Sequence, residues 1–240
     1  MKSLLRLFFR LLYHQFAFTY DLVAAAVSFN RWKDWVMSVI PFIEGDRILE
    51  IGHGPGHLQR NLRSRNLFAV GIDESAQMGR LAKRNLRRRS SSFRLPHQAN
   101  SPSLSQCDYT HINLTRGIGQ HLPFRDESFD TVVATFPTEY ITDPATLAEV
   151  KRCLVDGGKF IVLPVAWPKN RLLDWLFKVT SQSPAEAMEV VKSRLTEPFV
   201  QAAFITEIQT VDVQSSTLLI VLATKPSSSL SAPSAVPGAR

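Results

Sequence analysis

Glycines at alternate positions, Gly52, Gly54 and Gly56, follow directly on the short apolar run Arg47 to Ile51 and precede a stretch, His57 to Arg65, that reads as a helix. A strand that ends in such a bend and passes straight into a helix begins a βα unit, and the missing Cβ atoms let a ligand approach the bare backbone. The alternation continues through a strand at Leu67 to Ile72, a helix from Ala76 to about Arg88, strands at Phe129 to Ala134 and Lys159 to Val165, and a helix at Pro144 to Leu154 between them. Strands alternating with helices specify a parallel sheet covered on both faces. The runs Glu207 to Val213 and Thr217 to Thr224 differ, because the break between them is too short for a crossover helix. Those two strands are expected to pair antiparallel. The predicted fold is a three-layer α/β/α sheet of seven strands with an antiparallel last hairpin.

The chain of 240 residues is long enough for one domain with decorations and a core that needs no disulfide. Its two cysteines, Cys107 and Cys153, show no CxxC spacing, which argues against a structural zinc site and fits a reducing, cytoplasmic compartment. The net charge of +7 is local. Seven bases and no acid lie between Ser75 and Cys107 (Arg80, Lys83, Arg84, Arg87, Arg88, Arg89 and Arg94), and the rest of the chain is neutral. Residues 1–40 read as a helical cap, 41–225 as the main domain with a loop insertion at 90–110, and 226–240 as a disordered tail. The first stretch sets Lys2, Arg6 and Arg10 on one helical face, and Arg10 with His14 interrupts any transmembrane run. Two readings stand for it: a helix covering the core or the site, or an interfacial helix resting on a membrane through residues 1–20.

Ligands of open parallel sheets bind at the carboxyl ends of the strands, where the strand order reverses. Glu50 sits at the rim of the glycine bend, and Asp73 follows at the end of the second strand, placed to accept hydrogen bonds from ribose hydroxyls. A GxGxxG dinucleotide fingerprint would need its third glycine at His57. A carboxylate at the bend also suits an ammonium group better than a pyrophosphate. S-adenosylmethionine, with an ammonium, a sulfonium, a ribose and no phosphate, meets both conditions.

The segments LEIGHGPGHL, VGIDES, LPFRDESFDTVVATFP and LAEVKRCLVDGGKFIVLP, in this order, resemble a class I S-adenosylmethionine-dependent methyltransferase of Rossmann-like fold. The resemblance runs from about Tyr20 to Lys225 and lies nearest the ubiquinone and menaquinone biosynthesis branch. It implies that Glu50, Gly52, His53, Gly54 and Gly56 surround the methionine moiety, that Asp73 holds the ribose with Glu74 beside it, and that Met78 packs near the adenine. It further implies that Thr135 and Phe136 face the sulfonium and the acceptor. Asp156-Gly157-Gly158 matches a structural turn. The chain departs from the family where Gly-Asp-Ala often precedes LPF; here stand Gly117-Ile118-Gly119-Gln120, so backbone groups or Gln120 must replace an adenine-binding acid at a cost of about 1 kcal/mol.

His57 and Tyr140 are the candidate general bases, with Glu139 beside the latter as a candidate acceptor contact. His53 and His57 have no further ligand near in sequence, so no metal site is expected. Thr135-Phe136-Pro137-Thr138 lacks the side-chain amide or carboxylate typical of enzymes that methylate exocyclic amines of nucleic-acid bases, so no nucleic-acid partner is expected. The arginine run Arg84 to Arg89 reads as a solvated helix end or as a contact for RNA or anionic lipid. The expected function is methyl transfer from S-adenosylmethionine to a small, lipophilic or aromatic acceptor. The alternatives are a non-catalytic binding protein on the same fold, an RNA-associated methyltransferase and a nicotinamide-dependent oxidoreductase.

Overall fold

A computed structural model describes residues 32–87, 112–168, 184–213 and 216–227. The expected N-terminal cap before residue 32, the insertion at 90–110 and most of the tail lie outside the described residues. The described chain forms one sheet of seven strands: β1 (Arg47–Ile51), β2 (Phe68–Asp73), β3 (Leu114–Arg116), β4 (Phe129–Thr135), β5 (Leu154–Pro168), β6 (Ile205–Val213) and β7 (Ser216–Thr224), in spatial order β3-β2-β1-β4-β5-β7-β6. The first five run parallel, and β7 pairs antiparallel with both β5 and β6. From β1 the chain steps to β2 and β3 on one side and later to β4 and β5 on the other. The order therefore reverses at the carboxyl end of β1, directly where the glycines stand.

Period-two alternation in β1 sends Leu49 and Ile51 into one apolar layer and Ile48 into the other. The first layer also holds Val132, Phe160 and Phe199, beneath the helices α4 (Pro144–Cys153) and α5 (Pro184–Gln201). The second holds Val36, Leu58 and Leu62 from α1 (Trp32–Met37) and α2 (His57–Ser64). Helix α3 (Ala76–Arg87) packs beside α2, where a Cβ on Gly56 would lie 3.0 Å from that of Ala82. A side chain at position 56 would push the two helices apart.

Helix α5 was not expected. Its apolar residues are poorly segregated and Pro198 stands inside it, which reads as a break in sequence. Burial decides otherwise: Phe199 is 2% exposed and its ring lies 5.8 Å from Phe160, while Lys151 Nζ donates to the carbonyls of Ala202 and Ala203 just past the helix end. Strand β5 is also longer than its apolar run, because Leu154 already pairs with Phe129 before the Gly157-Gly158 bulge returns the strand to register at Lys159. No described helix is long and apolar enough to cross a membrane.

Candidate functional site

The bend after β1 is anchored to β2. Gly52 N–H donates to Ile72 O at 2.8 Å, and Gly54 N–H donates to Asp73 Oδ2 at 2.9 Å. Asp73 Oδ1 accepts from Ser75 N–H at 2.8 Å, so two backbone donors fix its carboxylate. At Gly52 the backbone has φ +72, and an added Cβ would lie 2.6 Å from the Tyr140 hydroxyl oxygen. Glycine is required there both by conformation and by space.

Above this bend opens a cavity of about 750 Å³, of a size that takes a nucleoside-sized ligand. Its lining includes Gly52, Asp73, Glu74, Gln120, Glu139 and Tyr140, so five of the expected site residues and Glu139 converge. Three of these carry carboxylates, against the single base Arg116. Arg116 was not anticipated, since it closes a three-residue strand beyond the insertion; its Nε donates to Glu74 O at 2.9 Å and braces the rim. Ile118, where the family places its adenine acid, lines the same cavity and is 38% exposed. Gln120 donates through Nε2 to Asp143 Oδ2 at 3.2 Å, and Asp143 caps α4 by accepting from Ala145 N–H.

Glu50 lies behind the bend and outside the lining. It faces the α2 side, is 2% exposed, and bonds to the side chain and backbone of Gln59, yet its Oε2 has no partner. Burial pushes this carboxyl up to about 8, with the nearby Asp73 charge adding to the shift. His53 is likewise buried; its Nδ1 contacts Gly54 O at 2.8 Å and its ring fills the space beside Gly71. Gly54, Gly56, Met78 and Thr135 also stand outside the cavity lining, the first two shaping the bend and Thr135 ending β4 opposite Leu163.

Three of the expected residues have surroundings of their own. Phe136 does not look into the cavity: with φ +50 its ring turns onto α1, 4.2 Å from the Trp32 ring. His57 does not line the cavity, and its proton affinity is lowered by burial and by the charges of Lys33 and Arg60. Tyr140 does line it, but burial and the charges of Asp73 and Glu50 raise its hydroxyl further above its ordinary range. At neutral pH Tyr140 holds its proton.

Comparison with known proteins places this geometry. Residues 49–162 match a family model described as a methyltransferase domain. The chain is 26% identical over 165 residues to the ubiquinone/menaquinone biosynthesis C-methyltransferase of Geotalea daltonii, covering 66% of this chain and 63% of that one. It is 28% identical over 179 residues to the demethylmenaquinone methyltransferase of Symbiobacterium thermophilum, covering 71% and 64%. The chain thus spans less than two thirds of the length of these relatives. Among solved structures, a SAM-dependent methyltransferase from Methanosarcina mazei superposes with a TM-score of 0.51 at 20% identity, covering 78% of this chain and 96% of that one. The magnesium protoporphyrin IX methyltransferase of Synechocystis, solved with bound SAH, gives a TM-score of 0.50 at 15% identity, covering 83% and 84%. Residues 49–162 therefore match a methyltransferase domain, on a fold shared with SAM-dependent methyltransferases, and the chain is similar over that region to quinone-biosynthesis C-methyltransferases.

Proposed function

We propose that the chain transfers a methyl group from S-adenosylmethionine to a small, lipophilic acceptor. The carrying observation is the acid-lined cavity at the strand-order reversal, with Asp73 pinned by the glycine bend. Carboxylates at Asp73, Glu74 and Glu139 repel a pyrophosphate and attract a cation. That weighs against a nicotinamide dinucleotide.

The donor fits the residues present. Asp73, its orientation fixed, accepts from the ribose hydroxyls; Glu50, behind the bend with one unpartnered oxygen, holds its proton in the empty site at neutral pH and supplies negative charge beneath the methionine end once the cation draws it to ionise. Ile118 offers apolar surface to the adenine, and Gln120, whose amide nitrogen is held by Asp143, offers its carbonyl to the adenine amino group. When bound, the donor supplies a methyl already activated by its sulfonium. The chain's part is then to hold the reacting groups in line and exclude water, which lowers a barrier by about 7–11 kcal/mol in well-oriented systems. The Tyr140 hydroxyl stands over Gly52, keeps its proton at neutral pH and offers a donor to the ligand rather than a base. The acceptor is accordingly one whose nucleophile is already activated, as an enolate or phenolate carbon is. The demethylmenaquinone in the name of one relative belongs to that class in its reduced, quinol form.

The test is incubation of the full chain with donor and a panel of quinols and phenols, read by mass spectrometry as gain of one CH₂ and release of S-adenosylhomocysteine. No methylation of any lipophilic acceptor, with a small polar one methylated instead, overturns the acceptor class. Tyr140→Phe is expected to weaken donor binding about fivefold to tenfold, the loss of one hydrogen bond, and to leave the shape of the rate–pH profile unchanged. A profile that loses a limb on this substitution would make Tyr140 an acid–base group.

A further inference from the structure

We propose that the outward face of α3 docks on anionic phospholipid headgroups. Arg80, Lys83, Arg84 and Arg87 are all exposed and stand at helical spacing of three and four, which gathers them into one stripe about 10 Å long opposite the buried Ala82. Among the described residues these four line a shallow concavity of about 550 Å³. Among the described residues no carboxylate pairs with any of them. A row of cations that no described carboxylate pairs is complementary to a surface that carries many separate negative charges.

Two features favour a headgroup surface over a nucleic acid. Stacking on or reading the bases of a strand needs aromatic platforms or amide side chains between the cations. The segment between Arg80 and Arg87 has no aromatic residue, and its one amide, Asn85, is turned inward, with Nδ2 donating to Pro55 O at 3.0 Å. What flanks the stripe instead is Leu81, an exposed large apolar side chain. The placement also has a consequence. Ser75 and Ala76, at the start of α3, line the acid-rich cavity, so a membrane against the α3 stripe lies close to the cavity rim. The inference stands on the charge row and does not depend on methyl transfer.

The full chain is mixed with phosphatidylcholine vesicles, with and without phosphatidylglycerol, and sedimented at low and at high salt. Binding is expected only with the anionic lipid, and it should fade as salt rises. Each exposed cation near such a surface changes partitioning about fivefold, so Lys83→Gln with Arg84→Gln should lower it about thirtyfold. The charge-matched control Arg125→Gln with Lys192→Gln should leave it nearly unchanged. Thermal unfolding of both pairs should match that of the parent. Equal binding to neutral vesicles, no binding at all, or equal loss in the two pairs would overturn the proposal. Capture of a single-stranded RNA that the α3 pair abolishes, with vesicles ignored, would reassign the face to nucleic acid.

Discussion

Exchange of Glu50 for Gln is expected to make the unliganded protein more stable while making it a poorer receptor for a cation. The carboxyl is buried, one oxygen lacks a partner, and its proton affinity rises from an ordinary 4.5 to about 8. Between those two values the folded state holds a proton that the unfolded state has released. Stability therefore falls as pH rises through that window, by up to about 1.4 kcal/mol per unit from this group alone. Gln removes the slope and should raise stability at pH 8 by on the order of 2–4 kcal/mol, read by urea unfolding against pH. Donor binding moves the other way. A cation prefers the ionised carboxylate, so affinity for S-adenosylmethionine should tighten between about pH 5.5 and 7.5, where an α-ammonium keeps its proton. It should do so by up to about tenfold per unit, and the slope should flatten in Glu50→Gln. Parallel pH curves for parent and variant would remove Glu50 from the binding account.

The second large effect is expected at Gly52. Any side chain there must adopt φ +72 and accept a contact of 2.6 Å between its Cβ and the Tyr140 hydroxyl oxygen. A non-glycine residue at such a φ costs about 1–2 kcal/mol, and the displaced tyrosine is mostly buried. Gly52→Val should lose about 3 kcal/mol of stability and at least about a hundredfold in donor affinity, because the branched side chain occupies the backbone face the donor approaches. Gly79→Ala is the contrasting case. It lies within α3, has nothing within 4 Å of an added Cβ, and should stabilise by about 0.5–1 kcal/mol without changing binding. Thermal unfolding and titration on the same samples separate the two outcomes.

The elements that were legible are those whose periodicity and boundaries agree. β1, the glycine bend and α2 form a strand–turn–helix with no competing pattern, and the two-residue gap between Val213 and Ser216 forces the antiparallel hairpin. Helix α5 was illegible for the opposite reason: its burial rests on Phe199 meeting Phe160 across the sheet layer, a contact that no local pattern announces. The site divides in the same way. Asp73, Glu74, Gln120 and Tyr140 reach the cavity because each stands at or just beyond the carboxyl edge of the sheet. Glu50, one residue short of the end of β1, is carried behind the bend by strand alternation, onto Gln59 of α2. On an extended backbone Phe136 would point to the face opposite Thr135, the layer that holds Ala134. The positive φ at that one residue sends it to Trp32 instead, a change of direction invisible in composition. Arg116 was hidden by the insertion that separates its short strand from the rest of the pattern.

The central claim is that carboxylates around a bare-backbone bend select a cationic nucleoside. Asp73 tests it most directly, since both its oxygens are already positioned by Gly54 and Ser75. Calorimetric titration of the full chain with S-adenosylmethionine, and separately with NADH, should give saturable heat for the first alone. Asp73→Asn, which keeps the shape and removes the charge, should weaken that binding about tenfold to a hundredfold. Heat from NADH that exceeds heat from the methyl donor, or an Asp73→Asn variant that binds the donor as tightly as the parent, would contradict the account.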